Sequence, residues 1–323
     1  MTRSLTLFSV LLVFTSCAQA AAPAERAKDV KAAHAALVAN DYVAAYRLYR
    51  AESANNPLAR FMLGVFDKNG WGRKADPVAA CRWFESAAAK RIATAEHEWG
   101  ECLAKGIGRA PDIPAALEWY AKAAGDGHLI SDCNAADYYL RGEGVAKDTA
   151  RGLALCTRVA MSNSPPAMLR LAHYFEDGTL VAQDLAAARS WYGQAASYGM
   201  PEAQFHLGMM LAQGAGGDAD RDEALRWLET AAGEGYAPAY LPTAILYGNA
   251  PVKANTGALA PEHLAKIYLW SNAAMARAKT QDQLSAATGV RDRALSVMPP
   301  EWRPQLDRQV AAHLTAHPAL TAR

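Results

Sequence analysis

Residues 106–124 read GIGRAPDIPAALEWYAKAA, and the pattern of this stretch recurs along the chain with a period of 36 residues. It combines a Gly-x-Gly turn, an aspartate six residues after the first glycine, and a tryptophan followed by paired alanines. The glycine recurs as Gly70, Gly106, Gly142, Gly178 and Gly214, and the aspartate as Asp76, Asp112, Asp148, Asp184 and Asp220. A fixed period of this length predicts a repeat protein whose units stack along one axis.

A tryptophan recurs nearly in step with the glycine and the aspartate, and paired alanines follow it about one helical turn later. The tryptophans are Trp83, Trp119, Trp191, Trp227 and Trp270, and Cys156 stands in the repeat that lacks one. We expect the large rings to fill the gap between helices, while the small alanines let the backbones approach. Six repeats result, at about 57–91, 92–127, 128–163, 164–199, 200–235 and 236–279.

Each repeat contains two stretches of about a dozen residues whose apolar side chains are spaced three or four apart. This spacing predicts two α-helices, helix A and helix B, joined at the Gly-x-Gly turn, where a chain leaves a helix through positive φ. The aspartate lies at the start of helix B, where its carboxylate can accept from free backbone N–H groups. Pro77 follows Asp76 at a first helical position. We therefore interpret the aspartates as helix caps and not as catalytic groups.

The motifs together resemble the Sel1-like repeat family. Leu-Gly occurs in helix A at residues 63 and 207, and Trp-Tyr-x-x-Ala-Ala occurs in helix B at residues 119 and 191. The resemblance covers about residues 57–279. It implies an all-α fold, a right-handed α-α superhelix (solenoid) related to tetratricopeptide repeats, with helix A of each repeat on the concave side.

The segments beside the repeats predict a cap at each end, because the terminal repeats of such an array expose apolar faces. Residues 21–56 resemble a degenerate helix pair in which Asn40-Asp41-Tyr42 separates two alanine-rich helices. Residues 280–323 predict further helices. We expect an N-terminal capping helix pair and C-terminal capping helices.

The N-terminus has the pattern of an export signal. Arg3 supplies positive charge, residues 5–14 form a short apolar core, and Ala18-Gln19-Ala20 offers small residues for cleavage. Residues 1–20 are therefore predicted to be a signal peptide, and the protein to be periplasmic or secreted. The alternative is that Cys17 carries a lipid, which would make the protein an outer-membrane lipoprotein. No later segment has the roughly 20 apolar residues of a membrane-spanning helix.

Four cysteines remain after the predicted signal peptide, and an even number in an oxidising compartment suggests two disulfides. A bridge requires Cα atoms within about 7 Å, so the partners must lie level on neighbouring helices. Counted from the helix junctions, Cys81 lies level with Cys102, and Cys133 lies level with Cys156. We predict these two bridges among the three possible pairings, with buried free thiols as the alternative.

Two rows of helix A positions are candidates for binding, because the family geometry would point them into the concave groove. The first row is Val65, Glu101, Asp137, His173, Met209 and Ile245, and the second row, one turn later, is Asn69, Lys105, Arg141, Asp177 and Gln213. Variation at fixed positions is what a recognition surface requires, although solvent exposure alone gives the same pattern. The candidate binding residues are Glu101, Lys105, Asp137, Arg141, His173, Asp177, Met209 and Gln213.

The sequence offers little catalytic chemistry. It contains no Ser-x-x-Lys, Gly-x-Ser-x-Gly, phosphate-binding loop or Cys-x-x-Cys motif. His97-Glu98 begins like a zinc-protease motif, but Glu101 stands where the second histidine belongs. His173 and Glu176 lie one turn apart and could share a metal, yet no third ligand is evident, so a solvated helix face is preferred. We predict no catalytic residue, no metal and no cofactor.

The balance of charge argues against a nucleic-acid partner, since 33 Lys and Arg residues face 32 Asp and Glu residues. The family resemblance implies instead a non-catalytic exported scaffold or adaptor that binds a protein or peptide in its groove. One alternative is cell-envelope glycan binding or a scaffold for polysaccharide export. A less favoured alternative is a β-lactamase-like hydrolase, a label that cysteine-rich relatives carry, although the serine motifs of such enzymes are missing.

Overall fold

In five of the repeats, helix A ends at the recurring glycine and helix B begins at the recurring aspartate. The computed structural model describes residues 30–252 and 259–319, which form α-helices, one short 3₁₀-helix and connecting turns, without any strand. The predicted signal peptide and Cys17 lie outside these described residues. The chain divides into two units, residues 1–162 and 163–323.

Consecutive α-helices pack against each other within each unit, except that the last one packs mainly against the third-last. The described part of the first unit contains α1 (Lys31–Val38), α2 (Tyr42–Glu52), α3 (Pro57–Asn69), α4 (Pro77–Ala88), α5 (Ala93–Lys105), α6 (Ile113–Gly125), α7 (Ile130–Arg141) and α8 (Thr149–Met161). The described part of the second contains α9 (Pro165–Asp177), α10 (Leu185–Ser197), α11 (Pro201–Gln213), α12 (Arg221–Gly233), α13 (Ala237–Gly248), α14 (Pro261–Arg277), α15 (Gln281–Leu295), a 3₁₀-helix (Pro300–Trp302) and α16 (Arg303–Ala316). The predicted all-α fold of stacked helix pairs is confirmed.

The five periodic aspartates lie at the N-cap of helix B in their repeats. Each carboxylate accepts a hydrogen bond from the backbone N–H three residues later, at 2.9–3.0 Å. The backbone N–H of the same aspartate donates to a carbonyl near the end of helix A, as Asp112 does to Leu103 at 2.9 Å. One residue thereby begins helix B and ties it to helix A, which gives a physical reason for its fixed place in the period.

Helix A ends at the periodic glycine in each of the five repeats. Gly106, for example, lies at the C-cap of α5 in the left-handed region, with a φ of 63°. Gly144, the second glycine of its motif, lies so close to α6 that a Cβ atom would come within 2.5 Å of the Ile113 side chain. Left-handed backbone at the first glycine and close packing at the second both favour a residue without a side chain.

The core of each repeat is filled by the residue that follows the tryptophan position. This buried series is Phe84, Tyr120, Cys156, Tyr192 and Leu228, and each member is at most 1% exposed. Trp83, Trp119, Trp191 and Trp227 are only half-buried. The buried series thus fills the centre of the gap between helices, and Trp83 and Trp119 pack against the core from its edge. Neighbouring residues on an α-helix point about 100° apart, so a tryptophan beside the buried series lies at the edge of the core.

The third and sixth repeats depart from this arrangement in different ways. Leu155 occupies the tryptophan position of the third repeat, so Cys156 belongs to the buried series and not to the tryptophan series. In α14, Trp270 is itself buried, with 4% exposed. The first alanine of each pair is buried as expected, with Ala123 and Ala195 both 0% exposed.

Both predicted disulfides are present, and both lie in the first unit. Cys81 of α4 is bonded to Cys102 of α5, with a Cα–Cα distance of 5.8 Å, so this bridge joins the first repeat to the second. Cys133 of α7 is bonded to Cys156 of α8, with a Cα–Cα distance of 4.2 Å, so this bridge closes the third repeat. Disulfides persist outside the reducing cytoplasm, and this pair is typical of an extracytoplasmic protein.

Helices beside the repeats cover apolar side chains of the first and last helix pairs. In the first unit, Tyr49 of α2 shares a core with Met62 and Phe66 of α3. In the second unit, Val290 of α15 shares a core with Trp270 of α14. We propose on these contacts that α1 and α2 form the N-terminal cap, that α13 and α14 form the sixth repeat, and that α15 and α16 form the C-terminal cap.

Candidate functional site

The eight candidate binding residues lie on helix A of four consecutive repeats, and their exposure depends on the row. The first-row members Glu101, Asp137, His173 and Met209 are half-buried. The second-row members Lys105, Arg141, Asp177 and Gln213 are exposed. Each of α5, α7, α9 and α11 thus presents one half-buried and one exposed candidate side chain.

Glu101 is held in place by two neighbours in the first unit. Its carboxylate accepts a hydrogen bond from the Tyr120 hydroxyl of α6 at 2.8 Å and forms an ion pair with Lys105, one turn along α5. Burial raises the pKa of the Glu101 carboxyl, but the hydrogen bonds from Lys105 and Tyr120 outweigh burial and lower the pKa below its usual value. The Glu101 carboxylate is therefore ionised and fixed at neutral pH.

Charged side chains beside the rows connect neighbouring copies of helix A. Lys68 of α3 lies 2.7 Å from Glu98 of α5, and both side chains remain partly exposed. In the next repeat, α7 carries half-buried Asp137 and exposed Arg141. The helix A residues of the first unit therefore present both signs of charge within one or two turns of each other.

His173 in the second unit has the same relation to helix B that Glu101 has in the first. Its Nδ1 atom lies 2.7 Å from the hydroxyl oxygen of Tyr192, which follows it by the 19 residues that also separate Tyr120 from Glu101. The Tyr192 hydroxyl donates to Oε2 of Glu176 at 2.5 Å. Burial and this hydrogen bond raise the pKa of Tyr192 far above its usual value, so the hydroxyl keeps its proton.

Two residues of α11 complete a cluster around His173 that the sequence reasoning missed. Oε1 of Glu202 lies 3.4 Å from Nε2 of His173, and the ring centroids of His206 and His173 are 5.0 Å apart. His206 stacks on the ring of Tyr192, with centroids 4.8 Å apart, and its Nδ1 atom lies 3.4 Å from Oε2 of Glu176. His206 follows His173 by 33 residues, one helical turn short of the period. That offset is the signal that could have revealed it.

A serine between two histidines in the first unit resembles a nucleophile with its base. Oγ of Ser131 lies 3.0 Å from Nδ1 of His97 and 2.8 Å from Nδ1 of His128, and such contacts can activate a serine. Ser131 is, however, 0% exposed, so its hydroxyl is inaccessible to a substrate. Burial also lowers the pKa of His128 to about 4. We interpret the group as a buried hydrogen-bonded link between α5 and the start of α7.

The family model of the Sel1 repeat matches five segments of this chain, residues 57–91, 93–128, 131–164, 165–199 and 201–236. A comparison with curated proteins finds no match. Among the described residues, no helix is both long enough and apolar enough to cross a membrane.

Two solved structures are similar to this chain. A Sel1 repeat protein from Oxalobacter formigenes superposes with a TM-score of 0.61 and is 26% identical, over 77% of this chain and 98% of that protein. The protective antigen c5321 of uropathogenic Escherichia coli, which has an SLR fold, superposes with a TM-score of 0.58 and is 23% identical over 88% of this chain. This chain spans 61% of the length of c5321, and the likeness to c5321 is one of fold alone.

Proposed function

Because the chain belongs to the Sel1 repeat family, we propose that it is a non-catalytic scaffold that binds a protein or peptide partner through helix A of its repeats. Sel1 repeat proteins are generally scaffolds for protein interaction. The observation that supports the proposal is the division of the rows into half-buried and exposed side chains at a constant period. The repeat fixes where these side chains lie, while their identity changes from one repeat to the next.

The first unit indicates what kind of partner would fit. Glu101 is held by Tyr120 and Lys105 before any partner arrives, so its side chain loses little conformational freedom on binding. In this unit the first row carries the acidic residues Glu101 and Asp137, and the second row, one helical turn away, carries the basic residues Lys105 and Arg141. A protein segment that carries both signs of charge would complement this surface, whereas a uniformly charged polymer would not.

We also propose that residues 1–20 direct export and that the protein works outside the cytoplasm, in the periplasm or as a secreted protein. The two disulfides of the first unit support this location. The mass of the protein purified from its natural host tests the proposal. We expect a chain that begins at Ala21, and a lipid-modified Cys17 would identify the lipoprotein alternative. A chain that retains residues 1–20 would contradict export.

The proposed binding surface is tested by crosslinking the protein to its partner in a cell-envelope extract. The test variant carries four substitutions in the first unit: Glu101→Ala, Lys105→Ala, Asp137→Ala and Arg141→Ala. We expect the intact protein to capture a partner and the test variant to lose it. Circular dichroism and thermal unfolding establish that the test variant keeps its fold.

A control variant with the same change in charge isolates the contribution of helix A. It replaces four exposed residues in or beside α4 and α6, namely Arg82→Ala, Glu85→Ala, Lys90→Ala and Glu118→Ala. The control variant should capture the partner as well as the intact protein does. Equal capture by the test variant, or equal loss in both variants, would refute the proposed surface.

The two alternatives from the sequence require assays of their own. Cosedimentation with purified peptidoglycan tests glycan binding. If the control variant sediments with peptidoglycan and the test variant does not, the ligand of helix A is a glycan and not a protein. Turnover of a chromogenic β-lactam would contradict a purely non-catalytic scaffold. In that event Ser131→Ala would show whether the serine between His97 and His128 is responsible.

A further inference from the structure

One histidine of the fourth repeat meets a glutamate and a histidine of the fifth repeat within the second unit. His173, Glu202 and His206 each offer one donor atom, and these atoms all lie within 4.8 Å of one another. Glu202 and His206 are four residues apart on α11 and therefore share one face of that helix. The three side chains are 31%, 44% and 25% exposed, so the cluster is open to solvent.

Hydrogen bonds determine which nitrogen of neutral His173 is available for coordination. The single proton of the Tyr192 hydroxyl is donated to Glu176, so the contact between Tyr192 and Nδ1 of His173 requires that Nδ1 carries a proton. Nε2 of the neutral ring then has a free lone pair, and it is the atom that lies 3.4 Å from Glu202. A ligand histidine whose other nitrogen donates to a fixed acceptor is typical of metal sites.

The donor set selects the class of cation. Two imidazoles and a carboxylate suit Zn²⁺ and other late transition metals, whereas Ca²⁺ and Mg²⁺ prefer oxygen ligands alone. Glu202 and Glu176 supply negative charge beside the two rings, which favours a divalent ion. Zinc sites with two histidines and one glutamate leave a position open for water or another ligand.

We propose that His173, Glu202 and His206 form a transition-metal site, with Zn²⁺ as the preferred ion and Tyr192 as the residue that orients His173. Bonds from Zn²⁺ are about 2.0–2.2 Å long, so its ligand atoms lie about 3.4 Å apart. The present atoms lie within 4.8 Å of one another and would need to close by up to about 1.4 Å, which rotation of partly exposed side chains can supply. The bound ion would clamp α9 to α11. This site does not depend on the proposed scaffold function.

The experiment uses the mature chain with its disulfides intact, without a polyhistidine tag and freed of metal by chelation. Titration with Zn²⁺ in a calorimeter, and with Co²⁺ by visible absorption, measures stoichiometry, affinity and ligand geometry. We expect one ion per chain, and a higher unfolding temperature with Zn²⁺ than without it. Glu202→Gln and His206→Asn should each lower the affinity at least about 10-fold, and Tyr192→Phe about 10-fold.

The control is His317→Asn, because His313 and His317 form another histidine pair in the second unit, with ring centroids 4.8 Å apart. This variant should keep the affinity for Zn²⁺. The proposal is overturned if the metal-free protein binds no Zn²⁺ and no Co²⁺, or if binding survives in Glu202→Gln and disappears in His317→Asn. Should His206→Asn fail to fold, partly exposed Glu202→Gln still decides the question.

Discussion

At the scale of single residues, Glu96 of α5 couples the stability of the first unit to pH. Its side chain is 2% exposed, and its Oε2 atom has no hydrogen-bond partner among the described residues. Burial, and secondarily the carboxylate of Asp126, raises the pKa of Glu96 from 4.5 to about 7. Because the folded state holds this proton more tightly than the unfolded state, the stabilisation is complete below pH 4.5 and is lost as the pH rises through 7.

We predict that Glu96→Gln stabilises the protein at pH 8 and changes its stability little at pH 4.5. The amide keeps the shape of the side chain without the buried charge, and the pKa shift from 4.5 to about 7 corresponds to a gain of about 3 kcal/mol at pH 8. Denaturant unfolding at both pH values measures the difference in the free energy of unfolding between the variant and the parent. Burial lowers the pKa of His128, so its effect on stability has the opposite pH dependence. This effect is the same in both proteins and cancels in the difference. Exposed Glu118→Gln is the control and should have the same small effect at both values. An equal effect of Glu96→Gln at both values would show that Glu96 does not titrate in this range.

At the scale of elements, the helix ends could be predicted because they depend on local chemistry. The identity of the core residues was harder to predict because it depends on tertiary packing. Asp112 and Gly106 act through backbone hydrogen bonds and backbone conformation, which depend on the residue itself and its near neighbours. That Tyr120, and not Trp119, fills the centre of the core could not be predicted in that way. Both residues are aromatic and adjacent, and only the neighbouring helix decides which of them lies in the core.

The caps of helix B can be tested one at a time, and Asp184 at the start of α10 is a suitable case. We predict that Asp184→Ala lowers the free energy of unfolding by about 1 kcal/mol, because the backbone N–H of Ala187 loses the carboxylate that accepts its hydrogen bond. Asp184→Asn retains an oxygen acceptor and should cost only a few tenths of a kcal/mol. Urea denaturation followed by circular dichroism measures both variants. Equal losses would indicate that the negative charge, and not the hydrogen bond, matters at this position.

At the scale of the whole molecule, the periodicity predicted which residues share a row but not which residues meet. His173 and Glu176 were recognised as neighbours because they lie on one helix. Glu202 and His206 follow in the next repeat, out of step with the rows, and reach His173 only through the stacking of α11 against the preceding helix pair. A contact of this kind depends on how one repeat rests on the next, which a single sequence does not specify.

Both disulfides lie in the first unit, so we predict that reduction weakens the two units unequally. The bridges close loops of 21 and 23 residues, and a loop of that length is worth about 3 kcal/mol in the chain-entropy account. Hydrogen exchange with and without a reductant should therefore show faster exchange in helices α4–α8 and unchanged exchange in α9–α14. The variant Cys81→Ser/Cys102→Ser, which lacks only the bridge between the first two repeats, should reproduce the part of the effect that falls on α4 and α5. If α9–α14 lost protection as strongly as α4–α8 did, the two units would have to unfold together, and the bridges would stabilise the whole chain instead of one half.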